Sequence, residues 1–366
     1  MKSNTEISIP TLPVNTSPET DFKASYRSKF LKKVAFILVC AVLCFIIALY
    51  SATLGSYGVT MGDVFHYIGQ AIMGVDLSED TAAYVVLYLR LPRIVGAVVC
   101  GAALAICGAA MQSMMKNPLA DPYTMGISSG AGFGAALTII FGIELIAGGG
   151  IIINAFVFAV IPALVILFLS KVRKATPTMM ILCGISLMYV FNAMTQLFML
   201  VSSPDDLSAV YTWMVGSLAD IGWSDLLIIG IITVAGSIYI QCMANQLNIM
   251  GIGDESAKTM GVNVDGQRLI ILMVITLVAA SVVSFTGIIG FVGLIAPHIV
   301  RTVLGADNKF LILGSAVFGA VLLLISDIVA RTIAAPTMLP VGVVTACLGG
   351  PLFMYLILRN SKEVWS

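Results

Sequence analysis

Few residues in this 366-residue chain could do covalent chemistry. Residues 126–130, GISSG, satisfy the GxSxG spacing at Ser128. In a soluble hydrolase that spacing raises a nucleophilic serine on a turn from strand to helix. A serine nucleophile needs a base, and His298 is the one histidine inside an apolar run. An intramembrane serine hydrolase using Ser128 and His298 is therefore one reading. Packing is the stronger one: Gly126, Gly130 and Gly134 recur every four residues, which lets a neighbouring helix backbone come close. The seven cysteines lie in apolar runs without a CxxC pair, so they read as small packing residues rather than metal ligands. No GxxxxGK[ST] occurs, so the chain has no phosphate cradle of its own, and no cofactor is expected on it.

Polar residues inside apolar runs are the next candidates. Gln112, Asn192, Thr195 and Gln196 read either as a translocation path or as helix–helix hydrogen bonds, because in hydrocarbon they must face protein or water. Asp327 and Arg331, four apart, fit an ion pair on one helix. The segment GDESAKTMGVN at 253–263 fits a short cytoplasmic helix. Asp254 would cap it, Ala257 and Met260 would share a face, and Gly261 would end it in a left-handed turn. An ordinary loop is the alternative there.

The elements that hold these residues follow from composition. Charged residues make up 10% of the chain and apolar ones 59%, with mean hydropathy +1.03. A water-soluble fold cannot hide that much apolar surface, so the fold class is all-α and the chain a polytopic membrane protein. Ten spans are predicted, at 31–52, 92–114, 122–141, 150–170, 178–201, 225–243, 268–286, 288–304, 310–331 and 339–358. The domain organisation is a disordered cytoplasmic tail over 1–30 and one transmembrane domain over 31–366. With the N-terminus inside, sixteen of the nineteen basic residues fall on the inner side, as the positive-inside rule requires. Both termini are then cytoplasmic, and only Arg90, Arg93 and Arg331 lie outside. Residues 202–224, with Trp213 and Trp223, suit an interfacial helix on the outer side. Equal acidic and basic counts leave no net field for nucleic acid.

Broken helix is the remaining signal. Pro118 and Pro122 interrupt the chain after the second span, and Gly287, Gly290, Gly293 and Pro297 interrupt it after the seventh. Arg93 to Pro122 and Arg268 to Pro297 are both 29 residues. This fits an inverted repeat of residues 92–201 and 268–358, the architecture of many transporters.

In order along the chain stand LRLPR (89–93), NPLADPYTMGISSGAG (117–132), GDESAKTMGVN (253–263), GIIGFVGLIAPHIVR (287–301), SDIVAR (326–331) and LPVGVVTACLGGPLF (339–353). Across about residues 85–358 the chain thereby resembles the FecCD family, permease subunits of prokaryotic ABC importers for iron–siderophore complexes, haem and cobalamin. One departure is Asp307-Asn308-Lys309, where the family often has Asp-His-Arg. The resemblance implies a permease in the cytoplasmic membrane that dimerises with itself or a paralogue. It would sit on two ATPase subunits that hold ATP and Mg, and receive cargo from an extracytoplasmic binding protein. It also implies that Arg90, Arg93 and Arg331 dock that binding protein. The ATPase coupling helix would comprise Asp254, Glu255, Ser256, Ala257, Lys258, Met260 and Gly261. A ferric siderophore is the first expected cargo, haem the second and cobalamin the third.

Overall fold

The structure is a computed structural model and describes residues 18–55, 57–77, 79–170, 172 and 176–359. Helices are α1 (Pro18–Thr53), α2 (Met61–Ile72), α3 (Thr81–Tyr84), α4 (Leu91–Met115), α5 (Ile127–Phe141), α6 (Gly150–Ser170), α7 (Pro177–Val201) and α8 (Pro204–Met214). They continue as α9 (Trp223–Cys242), α10 (Ala244–Ile252), α11 (Asp254–Thr259), α12 (Val264–Thr286), α13 (Val292–Leu304), α14 (Asn308–Thr332) and α15 (Val341–Arg359). Among the described residues, seven helical segments are long and apolar enough to cross a membrane, and α5, α13 and α15 are shorter apolar helices. These ten correspond one to one with the predicted spans.

Two expectations need correction at their edges. Helix α1 begins at Pro18, inside the segment expected to be a disordered tail. Residues 18–30 contain no glycine and no proline after Pro18, so nothing breaks the helix before the apolar run; residues 1–17 lie outside the described residues. The second span begins at Thr81, because α3 runs through a π-helical turn, Val85–Arg90, directly into α4. Pro92 sits in the first turn of α4, where its missing N–H costs least.

Sequence chemistry sets the remaining ends. Thr60 and Asp63 form a capping box on α2, with the Thr60 N–H donating to Asp63 Oδ2 at 2.8 Å. Lys116 closes α4 in the left-handed conformation at φ 52°. Gly126, at φ +87°, joins the 3₁₀ turn Pro122–Met125 to α5.

Backbone contacts between small residues hold the bundle together. A methyl on Gly101 would stand 2.5 Å from the Gly319 carbonyl oxygen, and one on Gly108 only 1.7 Å from that of Gly293. Helices α4, α13 and α14 therefore touch backbone to backbone, the close approach that stabilises helices in lipid. In α3–α4, 78% of the most apolar window is buried, against 22% in α7 and 17% in α1. Helix α4 is the axis of the bundle, and α1 and α7 lie on its perimeter.

The two halves repeat one scheme. Helices α4 to α7 run long, short, long, long, and so do α12 to α15. Exchanging the halves maps α4–α14 contact onto α12–α6, α5–α6 onto α13–α14, α4–α13 onto α12–α5, α5–α7 onto α13–α15 and α6–α7 onto α14–α15. All of these pairings occur. The end of α4 meets the start of α12 through Lys116, Asp254 and Arg268, so the halves run in opposite directions. This is the pairing that an inverted repeat requires.

Candidate functional site

Where the start of α4 meets the end of α14 the three exceptional arginines converge. Arg93 Nε donates to Asp327 Oδ1 at 2.7 Å, and Arg331 Nε lies 3.0 Å from Oδ2 of the same carboxylate. Arg90 Nη1 donates to the Ala52 carbonyl at 2.8 Å, and its Nη2 to that of Tyr57. Arg331 Nη2 donates to Ser51 Oγ. The i, i+4 pair of Asp327 and Arg331 thus forms as expected, but Asp327 is fully buried and shared with Arg93. Arg90 and Arg93, expected on the outer side, are 5% and 6% exposed within a continuous helix. The physical reason is that Arg93 and Arg331 share the one carboxylate, while Arg90 takes the carbonyls of Ala52 at the end of α1 and of Tyr57 in the α1–α2 loop as its acceptors. All three arginines still line a cleft of about 490 Å³, with Tyr57, Pro336 and Met338 on its walls.

On the opposite face the 253–263 segment forms a short helix, with differences. Asp254 does not cap it; Gly253 precedes it at φ 149°, and Asp254 is the first helical residue. Its carboxylate accepts from Lys116 Nζ at 2.7 Å and from Arg268 Nη2 at 3.0 Å. Burial pushes the Asp254 carboxyl upward, but hydrogen bonds from Lys116 and Arg268, with their charges, outweigh it and hold the group below its ordinary value. Ala257 and Met260 do not share a face: Ala257 is fully buried, and Met260 is 62% exposed at the helix end. Gly261 ends the helix as expected, at φ +83°, in a Schellman arrangement. Its N–H donates to Lys258 O, and that of Val262 to Ala257 O. Glu255, Ser256, Lys258 and Thr259 are exposed, flanked by the exposed apolar side chains of Ile252 and Met260.

The expected path residues are not brought together. Gln112, in α4, is buried and donates its Nε2 to the Leu294 carbonyl at 3.1 Å. Thr195 is buried and donates to the Phe191 carbonyl of its own helix at 2.8 Å, so it lines nothing. Gln196 is exposed and Asn192 half-buried on the perimeter helix α7, alongside exposed Tyr189 and Leu197.

Gly130 and Gly134 pack α5 against α6: a methyl on either would meet the carbonyl oxygen of Phe158 at 2.3 Å or of Asn154 at 2.4 Å. Gly126 is not part of that helix face. It precedes α5 and lies against Gly184 of α7 and Pro162 of α6. Ser128 lies in the first turn of α5, which follows a 3₁₀ turn and not a strand. His298, on α13, stacks edge-on against Phe353 and lines a cavity at the Lys116 end of α4 that Ser128 does not line. Nothing in this geometry supports the hydrolase.

Sequence reasoning missed three features. One is Asp327 as the carboxylate shared by two arginines, for which the SDIVAR spacing gave half the signal. Another is Asp121, buried in the break before α5, whose Oδ1 accepts the Tyr123 N–H at 2.7 Å. The third is the pair of helices α2 and α10, too short to register as spans.

Residues 41–359 match the model of the FecCD transport family. The hemin transport system permease protein of Yersinia pestis is 35% identical over 333 residues, covering 90% of this chain and 96% of that one. The cobalamin import system permease protein of Halobacterium salinarum is 38% identical over 286 residues, 78% of this chain and 76% of that one. Among solved structures, an inward-facing metal-chelate type ABC transporter superposes with TM-score 0.78 at 28% identity, covering 88% of this chain and 98% of that chain.

Proposed function

Since the chain belongs to the FecCD transport family, as a multi-pass membrane permease of the metal-chelate ABC importer type, we propose that its cargo is a bulky ferric chelate of the siderophore class. Haem ranks second and cobalamin third. All three are metals enclosed in large organic ligands, the kind of cargo in the names of the hemin and cobalamin relatives. Energy comes from two ATPase subunits carrying ATP and Mg, and cargo arrives on an extracytoplasmic binding protein. The permease stands in the cytoplasmic membrane of a prokaryote with both termini inside.

The observation that carries this reading is the division of labour between the two faces. One face holds a cationic cleft lined by Arg90, Arg93 and Arg331, suited to carboxylates of a docking protein. The other presents Ile252, Glu255, Lys258 and Met260 around a short anchored helix, suited to an ATPase groove. The chain between them has no nucleotide motif. Asn192 and Gln196 on the perimeter of α7 support a second permease subunit, because polar groups at membrane depth need protein or water beside them.

Reconstitution in proteoliposomes with the ATPase and binding protein tests the reading. Loaded ferric siderophore should accumulate with ATP and should not be replaced by haem or cobalamin. Accumulation of either of those, with the ferric siderophore excluded, would overturn the cargo.

A further inference from the structure

A cavity of about 650 Å³ opens at the cytoplasmic end of α4, α10 and α13. That is the size of a small-molecule site. Gln112, Lys116, Asn248, His298, Arg301 and Asn308 are among its lining residues, and among the described residues no carboxylate lines it. Three buried polar atoms on these side chains have no hydrogen-bond partner: Gln112 Oε1, His298 Nε2 and Arg301 Nε. Gln112 is 1% exposed, and its Nε2 is committed to Leu294 O at 3.1 Å. Its free group is therefore an acceptor.

The two asparagines are spent on the wall. Asn308 Nδ2 donates to Asn248 Oδ1 at 2.9 Å, and Ser113 Oγ to Asn308 Oδ1 at 2.6 Å. Arg301 forms no ion pair with a carboxylate among the described residues. Orphaned buried donors and acceptors cost free energy unless a ligand or water completes them. Two cations and one free acceptor in a single cavity call for an anion that also carries a donor.

We propose that this cavity is a ligand site for a hydroxyl-bearing phosphate ester, with the phosphate on Arg301 and Lys116 and the hydroxyl donating to Gln112 Oε1. A phosphate ester offers several charged oxygens to the two cations and carries the hydroxyl donor on the same molecule. His298 Nε2 serves either group according to its tautomer. Lys116 also bonds Asp254 at 2.7 Å, so the ligand competes with that carboxylate for Lys116. Occupancy therefore loosens one of the two tethers on α11 and lowers ATPase coupling; this second half rests on the function proposed above.

Binding is measured on the purified full-length permease alone, so that its failure is separate from any failure of the transport reading. The probes are glycerol 3-phosphate, inorganic phosphate, and nanodiscs of phosphatidylglycerol or phosphatidylcholine, read by thermal shift and native mass spectrometry. Glycerol 3-phosphate or phosphatidylglycerol should bind saturably at one site, with inorganic phosphate about tenfold weaker for want of the alkyl hydroxyl. Arg301→Gln should weaken binding about tenfold, the scale of one lost charge-assisted hydrogen bond. Arg301→Lys should recover part of it, and Lys29→Gln, a cytoplasmic cation away from the cavity, should change nothing. Retention of phosphatidylglycerol over phosphatidylcholine without competition from glycerol 3-phosphate identifies a lipid headgroup; the reverse identifies a soluble ester. Equal binding by wild type and Arg301→Gln, or no binding of any probe, overturns the site.

Discussion

Arg93 and Asp327, 234 positions apart in sequence, are joined by an Nε–Oδ1 contact of 2.7 Å that ties the start of α4 to the end of α14. The carboxylate is fully buried and also neutralises Arg331. Removing one member of such a buried pair leaves uncompensated charge. Asp327→Asn should cost about 3–5 kcal/mol of stability, seen as a clear fall in the detergent unfolding midpoint. An unchanged midpoint would show that the arginines are satisfied without it.

Binding-protein docking should depend on Arg90 in a way that does not disturb this pair. Arg90→Gln keeps Asp327, Arg93 and Arg331 intact while removing one cation from the cleft. Association with the loaded binding protein should slow, and its dependence on salt should flatten. Basal ATPase activity of the complex should hold, since α11 lies on the other face. Identical association rates at two salt concentrations would remove Arg90 from the docking surface.

Two substitutions in the 253–263 segment test docking and folding separately. Met260→Glu alters an exposed side chain and should give a folded permease whose ATPase no longer responds to the loaded binding protein. Ala257→Glu places a charge at a fully buried position and should instead unfold the segment, measured as faster proteolysis between α10 and α12. If Met260→Glu transports at the wild-type rate, the ATPase docks elsewhere.

Titration of Asp254 has a defined sign. Its folded value lies below the ordinary 3.8, so its ion pairs with Lys116 and Arg268 are fully present above that value. They are lost only as pH falls through the lower folded one. Coupling should therefore be insensitive to Asp254 from pH 7 down to about pH 5, while Asp254→Asn should weaken coupling across that whole range. A wild-type loss of coupling near pH 6 that disappears in Asp254→Asn would contradict the assignment.

Ser128→Ala should retain transport, because at most one helix–helix hydrogen bond of about 0.6 kcal/mol goes with it. Gly134→Ala should fare far worse, since its methyl would press to 2.4 Å from the Asn154 carbonyl oxygen. Loss of transport in a normally folded Ser128→Ala protein would restore the serine to a chemical role.

What the sequence made legible was whatever depends on a run of residues. The ten apolar segments, the two breaks, the left-handed stop at Gly261 and the i, i+4 pair of Asp327 and Arg331 are all local patterns. Solvent exposure at single positions was not legible. Ala257 and Met260 satisfy helical spacing, but α11 ends at Thr259, so Met260 leaves the face that Ala257 buries. Arg93 reads as one of three outside cations until the partner 234 residues away buries it. Gln112 and Asn192 look alike in sequence and lie in different surroundings, one buried in the axial helix and one on the perimeter. Each of these depends on which helices pack together, and a single chain's periodicity does not carry that.

The exchange of pairings between α4–α7 and α12–α15 leaves the bundle itself almost without a top or a bottom. Turned over in the membrane, the two halves would trade places and restore the same set of neighbours. Whatever makes transport vectorial must then be supplied by the pieces that the repeat does not contain. At one end those include α2 and the Ala52 and Tyr57 carbonyls that receive Arg90; at the other they include α10 and α11, which Asp254 ties to Lys116 and Arg268 of the repeat. Direction, in this fold, belongs to the attachments rather than to the repeated bundle.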